Sequence, residues 1–475
     1  MALPALYPDG PWLAPATANP ATYGSGGGGN ISALVLSEVQ GVCVAFDSPT
    51  LSELPLWTRL DDPTGPFTVS GFSIDRGRSY ELDKSGTGTA SVTIIDRNAS
   101  FDPTNASGPF AGKLNPMKQA AIGLRNPVTG AWSTIFRGFV SRWGYDLYQT
   151  EDYNVVTLEL VDGMDVLANA EMLPGQGFAL EWGDFAFNPP GQDGDIWFYQ
   201  DDQVAYRINQ VLDQAGWPTG MREVFSGNVS MQESVYSYRT PALQVIQDAA
   251  DAEFPGVANF YFQKNGYATF HGRQARFRPA VVQYHISTWK AGDIAAVTAD
   301  PTRALIFDLE YDRDKEKIIN SVLSTPKGMN DAFVSGQRVE DAASISTYGA
   351  RSISFDNLLT AGGYAPVTTA EVETAKFATY YVTNYASPRT RVNTITFKRV
   401  GPGDQYATRL WALMCGVDIS DIIDLKTTHA GGGGFNEQFY VEGLHYTATP
   451  LSIDYVDVEL TLDVSPKSHY DVELD

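Results

Sequence analysis

Cysteine is nearly absent from this 475-residue sequence: Cys43 and Cys415 stand far apart and neither has a CxxC partner, so neither a disulfide framework nor a thiolate zinc site is encoded. No apolar run approaches the roughly 18 residues of a membrane span. Met1 to Thr50 lacks a basic start followed by an apolar core, so no export or anchoring signal is expected. Positive charge is scarce as well. Lys and Arg total 33 against 56 Asp and Glu, a formal net charge of −23, which argues against wrapping nucleic acid because phosphate binding needs a concentrated positive surface. The same balance suits a surface along which DNA slides without sticking, although the plain solubility of an acidic protein explains such a charge more often. The spacings of common catalytic sites are missing too: there is no HExxH, GxSxG, P-loop or GxGxxG. His271, His285, His429, His445 and His469 show no i,i+4 pairing and read as structural or solvated rather than as ligands or bases. No catalytic residue, cofactor or metal site is therefore assigned.

Several near-motifs resolve into bland readings. Asp193 and Asp195 resemble the start of a calcium loop, but the twelfth position holds Val204 where a bidentate Glu is required. Lys84 to Thr89, with Gly86 and Gly88, leads into the strand residues Val92 and Ile94 and not into a helix N-terminus, so it reads as a hairpin turn and not a phosphate cradle. Among so many acidic residues nothing selects one carboxylate pair for glycoside hydrolysis. Arg273, Arg276, Phe277 and Arg278 form the one basic and aromatic cluster, expected to be a short surface patch paired with acidic neighbours. Asn-x-Ser triplets at Asn30, Asn98, Asn105 and Asn228 imply no glycosylation without an export signal.

What is present is a strand-rich body. With 43% hydrophobic, 19% charged and 12% aromatic residues, 44 Gly and 27 Pro, the chain is neither disordered nor a coiled coil, and at roughly 150 residues per domain it holds about three. The fold class expected is mainly β with an α+β insert, as two similar β-barrel domains flanking an α+β domain. Residues 1–50, the first thirty of them Pro, Ala and Gly rich, read as an N-terminal arm. Residues 51–185 carry short alternating runs from Phe67 through Leu160, a five-strand antiparallel barrel or sandwich with a bulge or bend at Gly71. Residues 186–300 form the insert: a helix with Val204, Ile208, Val211 and Leu212 on one stripe stopped by Gly216, a second capped at Thr240 before Pro241, and a hairpin through Asn265-Gly266. The second barrel takes 301–328 and 389–475, interrupted by a loop-helix insertion over 329–388 whose helix is capped by Thr368 with Glu371 and stopped by Pro388. Ile135-Phe136-Arg137-Gly138-Phe139 echoes Tyr440-Val441-Glu442-Gly443-Leu444, which suggests a repeated module.

The run Val69-Ser-Gly-Phe-Ser-Ile-Asp-Arg-Gly-Arg78, with Gly88 to Asp96, Phe101-Asp102-Pro103, Asn115-Pro116 and Ile135 to Phe139, resembles the opening barrel of minor tail proteins of long-tailed bacteriophages, in particular the tail-tip or baseplate-hub family of actinobacteriophages. Ser344 to Arg351, the helix up to Pro388 and the strand beyond it resemble the segment leading into that family's second barrel, so the likeness covers about 60 to 465. The resemblance implies a non-enzymatic virion protein at the siphophage tail tip, assembled in the host cytoplasm. It implies a homotrimer whose six barrels match the hexameric tube, contacting the distal tail protein, the tape-measure protein and fibre or spike proteins, and opening for DNA ejection. The chain ends soon after the second barrel, so wall degradation and host recognition are expected of other proteins. For Asp75, Arg76 and Arg78 the readings are an inter-subunit ion-pair cluster or a solvated strand end; for Tyr348-Gly349 with Arg351, a switch loop at the central opening or a tight turn packed by an aromatic. The rival functions are a hexameric distal tail protein, a β-rich carbohydrate-active enzyme and a receptor-binding protein.

Overall fold

Ala90, Val92 and Ile94 alternate with less buried neighbours along Thr89–Asp96, the pattern of a strand with one face on a core. The computed structural model describes residues 34–35, 39–60, 67–147, 153–172, 196–199, 202–227, 229–232, 234–237, 239–277, 281–288, 303–327, 336–360, 367–401, 404, 406–427, 433–450 and 455–470. Most of the arm, Asn30, Asp193, Asp195, Asn228, Arg278 and His429 lie outside these described residues. Within them the chain is mainly β.

The first module contains β1 (Leu34–Val35), β2 (Gln40–Val44), β3 (Thr58–Arg59), β4 (Phe67–Gly77), β5 (Thr89–Asp96), β6 (Gln119–Arg125), β7 (Trp132–Asp146) and β8 (Asn154–Val161), followed by α1 (Gly163–Asn169). The five antiparallel strands read from the sequence are β4 to β8, hydrogen-bonded in the order β4-β5-β8-β7-β6 and extended by β2 and β3. β2 lies inside the stretch assigned to the arm, yet it is buried throughout and pairs antiparallel with β6. The apolar run Val42-Cys43-Val44 outweighs the loop-like composition before it. β1 crosses over to pair with β25, described below. Gly71 does sit at a bulge, where the register of β4 on β5 shifts between Val69 and Gly71.

The insert comprises β9 (Ile196–Tyr199), β10 (Asp202–Gln203), α2 (Val204–Gln214), β11 (Arg222–Val224), β12 (Ser230–Met231), β13 (Ser234–Ser237), α3 (Ala242–Glu253), β14 (Asn259–Phe262), β15 (Ala268–His271) and α4 (Arg273–Phe277). α2 buries the stripe Val204, Ile208, Val211 and Leu212, and Gly216, at φ 70°, lies just past its end. α3 starts one step later than expected: Pro241 is its N-cap and no side chain caps it. The Thr240 carbonyl instead accepts the Met172 N–H at 3.0 Å, which holds the chain extended there. β14 and β15 form the hairpin through Gly266, and β11 adds to β15 in parallel. Phe139 of β7 packs against Trp217 and so joins this layer to the first module.

The last part holds β16 (Tyr284–Thr288), β17 (Arg303–Ile306), β18 (Asp308–Asp312), β19 (Ser321–Pro326), β20 (Gln337–Glu340), α5 (Ala342–Tyr348), β21 (Ser352–Leu358), α6 (Val367–Tyr385), β22 (Arg391–Lys398), α7 (Ala407–Gly416), β23 (Ile422–Lys426), β24 (Asn436–Pro450) and β25 (Tyr455–Pro466). Three expectations change. The run Leu305 to Leu309 is two strands, β17 parallel to β16 and β18 antiparallel to β22. β19 leaves the second module for a separate sheet, β20-β19-β21, so the stretch read as loop contributes two strands and a helix. α6 opens at Val367, ahead of Thr368.

The strand order β18-β22-β25-β24-β23-β16 repeats the order β4-β5-β8-β7-β6-β2. β7 and β24 thus occupy equivalent places, as the sequence echo suggested. Their ladders, however, set Val140 and not Phe136 against Val441, because each bulge follows one of these valines. Among the described residues neither module closes as a barrel. The first curls until the Gln40 amide reaches the Val69 carbonyl at 2.8 Å, while β4 spends its outer edge on β24 and fuses both modules into one 15-stranded sheet. Close backbone contact explains Gly138, where a Cβ would lie 2.2 Å from the Val161 oxygen. Gly138→Ala is expected to destabilise the fold by about 2–3 kcal/mol, measured by equilibrium chemical denaturation.

Candidate functional site at the junction of the two modules

The pairing of β4 with β24 runs from Gly77 opposite Gly443 to Phe72 opposite Ala448. Gly77 has φ 97°, and a Cβ there would meet the Glu442 oxygen at 2.2 Å, so only glycine lets the two backbones approach this closely. On the other side of β24 the ladder to β25 skips Glu442 between Val441 and Gly443. That bulge re-aims one side chain, and Glu442 ends fully buried.

Two arginines meet it. Arg78 donates from Nε to Glu442 Oε2 at 2.8 Å, and Arg276 of α4 donates from Nη1 to Oε1 at 2.8 Å and from Nη2 to Oε2 at 3.1 Å. Ser465 of β25 adds a hydroxyl to Oε1. Arg276 also lies 4.4 Å from the centre of the Tyr440 ring. Burial alone would raise the Glu442 carboxyl; Arg276 and then Arg78 overcome it and hold the group below the usual carboxylate range. Arg78 further donates to the Asp83 and Gly256 carbonyls at 2.9 and 2.8 Å, so β4, its following turn, the insert and β24 share one ionic centre.

Two further clusters flank it. Arg76 donates to the Phe262 carbonyl at 2.7 Å, to Asp418 Oδ1 at 2.9 Å and to the Ile135 carbonyl at 3.3 Å. Glu81 accepts from Tyr385 at 2.7 Å and from Arg391 at 2.9 Å, with His469 Nδ1 at 3.2 Å. Burial would raise Glu81, but His469, Arg391 and Tyr385 bring it down to about 2. Burial also holds the His469 imidazole below its ordinary value, so at neutral pH Arg391 supplies the countercharge. On the ladder itself, His445 sits between two carboxylates, with Nε2 2.8 Å from Asp463 and Nδ1 3.3 Å from Asp75.

Of the residues singled out in the sequence, Arg76 and Arg78 are 3% and 5% exposed and make these contacts within the chain. Asp75 is exposed beside His445, and Tyr348 and Arg351 are exposed at the end of α5 and just beyond. Gly349 has φ 78°, which caps that helix. The structure thus brings Asp75, Arg76 and Arg78 to one junction and leaves Tyr348 and Arg351 apart from it. The basic tract is corrected: Arg276 is 1% exposed and interior, while Arg273 binds Glu373 at 3.1 Å. Glu442, Glu81 and Asp418 were missed. A carboxylate inside the apolar run Phe439-Tyr-Val-Glu-Gly-Leu was the one available signal for Glu442.

The arrangement is a set of ionic and hydrogen-bonded anchors. Glu442, Glu81 and Asp418 are engaged by arginines and Asp463 and Asp75 by His445, Cys43 and Cys415 are buried free thiols, and burial pushes Cys415 up to about 12. Among the described residues no group of three or more His, Cys, Asp or Glu is placed to hold a metal ion. At the expected hairpin turn the Gly88 carbonyl accepts the Asp162 N–H at 2.8 Å, and burial pushes the Asp162 carboxyl up to about 7. Two wide polar clefts, of about 470 and 590 Å³, are lined by residues that include no tryptophan.

No protein-family profile matches the chain, and no curated protein matches it. Among solved structures it is similar to a tail protein from Neisseria meningitidis MC58, at 10% identity and TM-score 0.51 over 89% of this chain and 96% of that one. It is also similar to the 43 kDa tail protein of prophage MuSo2 from Shewanella oneidensis, at 9% identity and TM-score 0.50 over 92% and 98% of the two chains. At such identity the likeness is one of fold, and the chain has the fold of these tail proteins.

Glu442→Gln leaves two buried guanidinium groups without a countercharge and is expected to cost about 3 kcal/mol or more, whereas Arg142→Ala at the exposed Arg142–Glu159 pair should cost under about 1 kcal/mol; urea unfolding compares the two. The carboxylates of Asp463 and Asp75 raise His445 from 6.5 to about 10. A folded value above the unfolded one stabilises fully below about 6.5, and the contribution disappears as pH rises through about 10. The thermal midpoint of the native protein should therefore fall towards that of His445→Gln over this window, and parallel pH profiles would refute the assignment.

Proposed function

We propose that the protein is a structural component of a phage tail, working at the tail tip as a hub of the baseplate. On this reading it closes the distal end of the tail tube, couples the distal tail protein to fibre or spike proteins, lies beneath the tape-measure protein and opens for DNA ejection. It acts as a homotrimer in the virion of a long-tailed actinobacteriophage. The observation that carries the reading is the repeated strand order of two modules fused in one sheet: three copies of a two-module chain present six similar units, which is what a sixfold tube requires of a threefold partner. The fold shared with tail proteins supports it. So does the interior, where charged side chains lock segments together.

The formal charge of −23 suits a channel wall that DNA passes without adhering. Of the five proposed subunit contacts, Arg76 and Arg78 already hold partners inside their own chain and would act by shaping the junction. Asp75, Tyr348 and Arg351 are exposed and would reach a neighbour directly. Native mass spectrometry of the purified protein tests the reading. Three copies are expected; six would favour a distal tail protein, and a monomer that cleaves glycans would overturn both.

A further inference from the structure

The two modules match strand by strand in their order, and among the described residues two strand edges lack the partner strand that their counterparts have. Ser91 lies opposite Glu159, which lies opposite Arg142; in the second module Thr394 lies opposite Asp463, which lies opposite Gly443. Arg142 is therefore the counterpart of Gly443, each directly after a bulge. Continuing outward, Ser73 faces Ser91 as Glu310 faces Thr394, so β4 and β18 correspond with Ser73 matched to Glu310. Two independent features agree with this register. Counted along the two strands themselves, Asp75-Arg76 then falls on Asp312-Arg313, the same dipeptide, although β22 carries one extra residue, Asn393, between the partners of Glu310 and Tyr311. Before β6 and β23, Met117 and Ser420 both adopt positive φ, 61° and 73°, and donate to the Val140 and Val441 carbonyls at 2.7 and 2.8 Å.

Within the chain, β4 of the first module adds to Gly443–Ala448 of the second, and Arg76 crosses the seam to Asp418. The counterparts lack this arrangement. Among the described residues β18 pairs with β22 alone, and Arg142–Asp146 pair with β8 on one side and with no strand on the other. Arg313 is exposed and donates to the Pro388 carbonyl at 3.0 Å. Asn115, the counterpart of Asp418, is exposed as well.

We infer that the partner of these edges is a second copy of this chain: β18 of one copy adds antiparallel to Arg142–Leu147 of the next, repeating between copies the seam that β4 and β24 make within one. The inference rests on the trimer proposed above and adds which edges meet. The repeated register sets Asp314 opposite Arg142 as a complementary pair, Asp312 opposite Gly144, and Leu309 opposite Leu147, which is 68% exposed in the single chain. Arg313 would leave Pro388 for Asn115 of its neighbour. A head-to-tail contact of this kind uses one edge of each sort per copy, so a ring consumes them all.

The register also places Glu310 opposite Asp146, one like-charged pair between exposed side chains. Glu310→Cys combined with Asp146→Cys removes that repulsion and sets two thiols across the seam, while Cys43 and Cys415 are buried and do not compete. Mild oxidation of the double variant should convert most of the protein to a covalent trimer on a non-reducing gel, with either single variant unlinked. A trimer by native mass that stays unlinked would overturn the edge pairing and leave the hub reading standing. Cross-linking of Glu310→Cys alone would overturn it too, by showing two β18 edges together. A protein that stays monomeric throughout would overturn both proposals.

Discussion

One carboxylate held between two guanidinium groups ties this molecule together. Glu442 comes from a bulge in β24, Arg78 from the end of β4 and Arg276 from α4, segments separated by 364 and 166 residues from the carboxylate they share. None of the three is more than slightly accessible. In so dry a place an unmatched charge costs several kcal/mol, so the three groups must arrive together or not at all. That condition fixes the approach of β4 to β24, and with it the fusion of two modules into one sheet.

Such a centre contributes little net stability compared with apolar side chains of the same volume, because desolvation offsets most of the Coulombic attraction. Its effect is on register. A one-residue slip of β4 along β24 would turn Arg76 and Arg78 to the other face and abandon Glu442, Asp418 and the carbonyls of Gly256 and Phe262. The aromatic layer around it, with Tyr440 and Tyr470 over Arg276 and Tyr385 over Arg391, covers the charges while leaving their hydrogen bonds in plane. A seam of this kind is specific in its register.

Duplication gives the seam a second meaning. The equivalent strands of the two modules are wound in the same order but meet different fates: β4 pairs with both β5 and β24, while among the described residues β18 pairs with β22 alone. On the assembly inferred above, the contact that the chain makes with itself would serve as the template for the contact between copies.

The sequence by itself determined the local elements. Period-two runs placed β4 to β8 and β22 to β25, Asn265-Gly266 placed a hairpin, Gly71 marked a bulge, and the helical stripe ending at Gly216 placed α2, because alternation, helical periodicity and positive φ are properties of neighbouring residues. It also showed that Asp75, Arg76 and Arg78 stand at a strand end worth notice. It could not say that two of them are interior, nor find Glu442, Arg276 and Glu81 as their company, since a charge reads as surface until its distant partner is known. β2 in the supposed arm, the separate sheet of β19 to β21, and the fusion of the two modules along β4 and β24 were decided only when strands from remote parts of the chain competed for the same edges. Edge pairing depends on which backbones lie side by side, and that is a property of the folded whole.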